Sequence, residues 1–107
     1  MYFEDVDMGL DLAVPFGMIL SELLSNSFRH AFTEDQDGRI RAVFMDKGDH
    51  YMLEVRDNGR GFPEGVDFEG ADSLGLQLVK NLINQIEAKV DYTLSPGTCF
   101  KVRVLKP

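Results

Sequence analysis

The residues 21–32, SELLSNSFRHAF, place a carboxylate, an amide, a guanidinium and an imidazole within nine positions. At about 100° per residue on a helix, Glu22, Asn26, Arg29 and His30 fall within roughly 100° of arc. Phe16, Leu20, Leu23, Leu24 and Ala31 cover the adjoining core side, with the small Ser27 among them. A carboxylate and an amide one turn apart offer the oxygens that a hard cation takes. The arginine and histidine a turn further on suit an anion. A solvated polar face accounts for the same four residues, and the stripe alone leaves both readings open.

A second group is YMLEVRDNGRG. Alternation along a strand puts Leu53, Val55 and Asp57 on one face and Met52, Glu54 and Arg56 on the other. If Leu53 and Val55 face the core, Asp57 points inward where the strand meets its loop. A buried carboxylate needs donors. Those donors are either the amides of its own turn, at Asn58 or Gly59, or a ligand group such as an exocyclic amine. Gly59 and Gly61 permit close backbone approach beside it. Further on, Gly75 falls in the first turn of a helix, where glycine costs about 1 kcal/mol relative to alanine. Exposed amides at a helix start suit a phosphate, although close packing explains a glycine equally well. There is no GxxxxGK[ST] and no GxGxxG, so neither a P-loop nor a dinucleotide fingerprint is present.

The elements that must carry these groups are legible in outline. A weak edge strand is expected within residues 1–8. Val14-Pro15 reads as the start of a helix running to about Phe32, stopped by the turn-rich TEDQDG. GRIRAVFMDK and HYMLEVRD read as a hairpin around the tight turn KGDH. NGRGFPEGVDFEGAD reads as a long glycine-rich loop. A second helix is predicted from Ser73 to about Glu87, capped by Asp72 or Ser73, with Leu74, Leu78, Val79, Leu82 and Ile86 facing the core. KVDYTLS and TCFKVRVL close the chain as a second hairpin around a PG turn. The expectation is an α/β two-layer sandwich: a mixed, mainly antiparallel sheet with its helices on one face.

The 107 residues suit one domain with one core. No apolar run reaches the roughly 20 residues needed to cross a bilayer. The acidic N-terminal stretch does not resemble a signal peptide. Cys99 is the sole cysteine, which rules out a disulfide framework and makes a reducing cytoplasm the expected location. A net charge of −7 argues against nucleic acid and against direct contact with anionic membrane. An anionic ligand would need backbone amides, a few basic side chains or a metal ion.

Taken in order, SELLSNSFRHAF, VRDNGRGFPEG, SLGLQLVKNLI and PGTCFKVRV resemble the GHKL ATPase superfamily of gyrases, heat-shock chaperones, histidine kinases and mismatch-repair ATPases. The matches span residues 21 to 104. AVPFGMILSELLSNSFRHAF is most similar to the catalytic ATP-binding domain of sensor histidine kinases, in the subgroup with a proline-led helix and a short lid.

The resemblance implies a Bergerat-type fold that binds ATP with Mg2+. It implies that Asn26 holds the magnesium bridging the phosphates and that Glu22 assists phosphoryl transfer. Arg29 and His30 would approach the phosphates and nucleoside, Asp57 would accept the adenine amine, and Gly59 and Gly61 would shape its pocket. Gly75 and Leu76 would lie beside the phosphates, and Thr98 would help to hold the adenine. A phosphoacceptor histidine on a dimeric helical hairpin is not evident, since His30 and His50 are the only histidines. The expectation is therefore a catalytic piece of a longer kinase. Its partners would be a phosphoacceptor domain, through which it would dimerise, and a response regulator. An anti-sigma-factor-like protein-serine kinase and a non-catalytic nucleotide-binding module are the alternatives.

Overall fold

The computed structural model describes residues 2–3, 8–30, 38–59, 74–94 and 97–106, with backbone alone for 2–3 and 28–30. Along the chain these form β1 (Tyr2–Phe3), α1 (Leu10–His30), β2 (Ile40–Asp46), β3 (His50–Asp57), α2 (Leu74–Gln85), β4 (Lys89–Thr93) and β5 (Thr98–Leu105). The strands make one sheet in the order β1-β2-β3-β5-β4. β1 runs parallel to β2 and every other pairing is antiparallel. This is the expected mixed, mainly antiparallel sheet with both hairpins in place.

Alternation fixes which face of the sheet is buried. Tyr51, Leu53, Val55 and Asp57 of β3 turn inward, as do Thr98, Phe100, Val102 and Val104 of β5. Their register partners stack in rows, with Val55 opposite Phe100 and Leu53 opposite Val102. Phe16, Ile19 and Leu23 of α1 and Leu76, Val79, Leu82 and Ile83 of α2 close this face into a single core. Truncating a buried aliphatic in such a core to alanine costs about 2–5 kcal/mol.

α1 departs from expectation at its start. It begins at Leu10, so Pro15 lies inside the helix and not at its head. The carbonyl of Gly9 accepts the amides of Leu12 (3.1 Å) and Ala13 (2.9 Å), nucleating a turn ahead of the proline, and Asp11 adds a favourable charge in that turn. The cost is one lost helical bond at the proline nitrogen. Ile19, which the sequence reading passed over, is fully buried, while Leu20 and Leu24 are only half-buried. Ala31, Phe32 and the TEDQD segment lie outside the described residues.

α2 also has its apolar stripe rotated from expectation. Leu74 is 83% exposed, whereas Leu76 and Ile83 are buried. Spacing of three and four residues from Leu76 through Val79 to Ile83 defines the true seam, and Leu74 sits on the far side of it. Leu78 and Ile86 flank the core. The expected caps Asp72 and Ser73 lie outside the described residues.

The C-terminus of α2 is closed by paired bonds, Ala88 N–H to the Ile83 carbonyl (2.9 Å) and Glu87 N–H to the Asn84 carbonyl (3.2 Å). This is a Schellman arrangement, and it puts Glu87 at φ 57°, where glycine is normally found. Glu87→Gly is expected to stabilise the fold by about 1 kcal/mol in chemical denaturation, with Glu87→Ala giving little of that gain.

Candidate functional site

The inward row of the sheet ends in a charge. Asp57, the last residue of β3, is 5% exposed, and among the described residues no cation pairs with it. Its neighbour Arg56 faces the opposite side, ion-paired with Glu54 at 2.9 Å. There the Cys99 thiol at 3.9 Å, and Glu54 after it, raise the guanidinium pKa above its ordinary value. The Asp57 carboxylate is held by hydrogen bonds alone. Oδ1 accepts the backbone amides of Gly59 (3.0 Å) and Thr98 (3.1 Å). Oδ2 accepts the hydroxyls of Ser27 (2.7 Å) and Thr98.

Three separate segments supply these donors, and the fold aligns each. Thr98 is the register partner of Asp57 across β3 and β5, so its amide and side chain face the carboxylate by strand pairing. Gly59 lies two residues beyond Asp57 and closes an Asx-type turn. Ser27 reaches down from α1. On the other flank, Asn58 and Arg39 exchange bonds, Asn58 N–H to the Arg39 carbonyl (3.2 Å) and Arg39 N–H to Asn58 Oδ1 (2.8 Å). The end of β3 is thus fixed from both sides.

Gly97 makes the β5 side possible. It has φ +68°, and a Cβ there would stand 2.4 Å from the Asp57 carbonyl oxygen. Only glycine allows the chain entering β5 to lie this close to β3 and deliver Thr98 in register.

Asn26 precedes Ser27 on α1 and is 6% exposed. No described residue makes a hydrogen bond to its side chain, and since no fully buried side-chain N or O atom among the described residues lacks a partner, the amide keeps access to the site. Glu22, one turn back, is half-buried. The stripe is therefore not a solvated face at these two positions. Arg29 and His30 lie in the last turn of α1 and their side chains are outside the described residues, as is all of Gly61. Gly75 is half-buried as the second residue of α2, and the Leu76 side chain is packed in the core at 3% exposure, leaving its backbone as what a ligand would meet.

Gly59 and Thr98 both bond to Asp57, the first as the turn amide that the turn reading of Asp57 expected, the second in a contact the sequence reading did not anticipate. Ser27 and Gly97 were missed as site residues. Both had a signal: Ser27 is a small polar residue on the core side of the helix facing an inward aspartate, and Gly97 follows a proline in the turn immediately before Thr98.

Residues 12–107 match the family described as "Histidine kinase-, DNA gyrase B-, and HSP90-like ATPase". The chain belongs to that family. Within it, the chain is an ATP-binding catalytic domain of the two-component sensor histidine kinase type. It is 32% identical over 92 residues to blue-light-activated histidine kinase 2 of Erythrobacter litoralis, covering 84% of this chain and 26% of that protein. It is 32% identical over 101 residues to the sensor histidine kinase PdtaS of Mycolicibacterium smegmatis, covering 88% of this chain and 20% of that protein. The solved histidine kinase domain of a blue-light-activated histidine kinase from Erythrobacter litoralis superposes with a TM-score of 0.89 at 27% identity, covering 97% of this chain and 49% of that one. The chain thus spans about a quarter or less of the length of these two full-length relatives. No helix among the described residues is long and apolar enough to cross a membrane.

Gly97→Ala is expected to destabilise the fold by at least about 2 kcal/mol in denaturant titration, from left-handed strain and the clash with β3 together. In amide exchange, protection should fall first at Thr98 and Gly59.

Proposed function

We propose that this chain binds ATP with Mg2+ and passes the γ-phosphoryl group to a histidine on a separate phosphoacceptor domain, as one domain of a longer cytoplasmic kinase. The observation that carries the reading is the pairing of a buried, inward aspartate with Asn26, one residue along α1 from the Ser27 contact, whose side chain bonds to no described residue. Asp57 would accept the exocyclic amine of adenine, beside Gly59, Gly61 and Thr98. Asn26 would hold the metal ion. Its amide oxygen is a hard donor, and a single protein ligand suits magnesium, which keeps waters and takes its remaining oxygens from phosphates. Among the described residues no group of three or more His, Cys, Asp and Glu side chains is arranged to hold a metal. The donor set therefore fits an ion that arrives with the nucleotide.

The metal would neutralise charge on the phosphates. The protein's part is to orient. Arg29 and His30 would approach the phosphates and nucleoside from the last turn of α1, Gly75 and Leu76 would offer backbone at the start of α2, and Glu22 would orient or accept a proton from the attacking group. Phosphoryl transfer needs positioning and charge stabilisation more than covalent help. Dimerisation through the acceptor domain, and transfer onward to a response regulator, complete the reading.

Calorimetric titration of a non-hydrolysable ATP analogue, with and without Mg2+, tests it. Binding should require Mg2+ and should weaken at least about tenfold in Asp57→Asn, the loss expected when a charge-assisted hydrogen bond goes. Circular dichroism of the variant would establish that its fold is retained. A wild-type domain that binds no nucleotide at millimolar concentration would sink the proposal.

A further inference from the structure

The four hydrogen bonds on Asp57 differ in kind between its two oxygens. Oδ1 takes two backbone amides, from Gly59 and Thr98, which strand pairing and the turn hold in place. Oδ2 takes two hydroxyls, from Ser27 and Thr98, which rotate. A carboxylate offers about four lone-pair sites, so all are engaged. A donor arriving from a ligand gains access only at Oδ2, and only when one hydroxyl turns away.

The two hydroxyls are not equivalent. Thr98 grips both oxygens, with its amide on one and its hydroxyl on the other. Ser27 makes a single bond, from another element. Ser27 is the one to yield, and at 2% exposure its O–H has little water to turn to. A buried hydroxyl without an acceptor is costly, so a ligand that displaces it gains by offering one.

The geometry points to Ser27 as a specificity-determining residue, donating to the ring nitrogen beside the exocyclic amine that displaces it from Asp57. This rests on the proposed nucleotide site and assigns it a second reading group. The base edge is then recognised as a donor next to an acceptor, the pattern of a 6-aminopurine. A guanine edge in the same position presents a carbonyl oxygen to the carboxylate, which loses its partner, while its N–H can still be accepted by the serine oxygen, so Asp57 rejects guanine and Ser27 distinguishes a ring nitrogen from a ring C–H. The competing acceptor for the serine is the Leu23 carbonyl, one helical turn back. A serine that turned there would read nothing.

The test compares the whole chain and Ser27→Ala, with Mg2+, against two probes: a non-hydrolysable ATP analogue and its 1-deaza counterpart, which keeps the amine and replaces the ring nitrogen by C–H. Wild type is expected to bind the 1-deaza probe about tenfold more weakly, the worth of one buried hydrogen bond. In Ser27→Ala the two probes should bind within about twofold of each other, and Ser27→Thr should restore the difference. The ratio between probes is the readout, because a general loosening of the site moves both affinities together. Equal binding of the probes by wild type, or an unchanged ratio in Ser27→Ala, overturns the assignment of Ser27 while leaving the nucleotide site standing. Binding of neither probe by wild type overturns both. The wild-type comparison needs no variant to fold.

Discussion

A carboxylate buried at the end of a central strand, with no counter-ion among the described residues, constrains much of this molecule. An ionised Asp57 is tolerable only while donors surround it, because removing a charge from water costs several kcal/mol that hydrogen bonds must offset. The donors come from α1, from the turn after β3 and from β5. The helix layer, the sheet and the loop are thereby set relative to one another at the site. The apolar core behind it supplies the bulk of the stabilisation and sets the strand register. The charge adds a finer condition, since displacing any one of the three segments strands part of it.

That constraint explains two residues whose types otherwise seem arbitrary. Gly97 is needed because β5 must begin hard against the Asp57 carbonyl if the Thr98 amide is to reach the carboxylate. Ser27 occupies a fully buried position where α1 packs on the sheet, a place an apolar residue would ordinarily take. Its hydroxyl is there for the aspartate. Leu23, Ser27 and Ile19 lie along the same buried face of α1, so the helix that seals the core also delivers the polar contact.

How legible this was in the sequence depended on the kind of information involved. Period-two alternation identified β3 and β5 to the residue, and in β3 the inward direction of Asp57, because a one-residue slip would turn every apolar side chain outward, whereas the pairing of Asp57 with Thr98 emerges only from the strand register. Helices are more forgiving. In α2 the choice of Leu74 over Leu76 was a phase error within a leucine-rich segment, where several stripes look apolar and only packing against a particular sheet selects one. The start of α1 was misplaced because proline is a strong local signal, yet the Gly9 carbonyl supplied a first turn ahead of it. The hydrogen bond from Ser27 to Asp57 joins residues 30 apart in the chain, and no local pattern encodes such a contact.

The charge balance closes the account of the site. A chain of net charge −7 is a poor host for a polyphosphate, and the described part of the proposed pocket presents a carboxylate at Asp57 and another at Glu22. The two are reconciled by division of labour along α1. Ser27 belongs to the end of the site where a carboxylate meets neutral N–H groups and no anion approaches. Asn26, one residue away and about 100° around the helix, faces a different direction with a neutral oxygen. On the proposed reading, a divalent cation carried by the nucleotide meets that oxygen and screens the phosphates from the acidic surface. On that reading the protein would bind the metal–nucleotide complex in preference to either component, because the donors among the described residues are too few to hold the cation and the net charge is of the wrong sign to hold the bare anion.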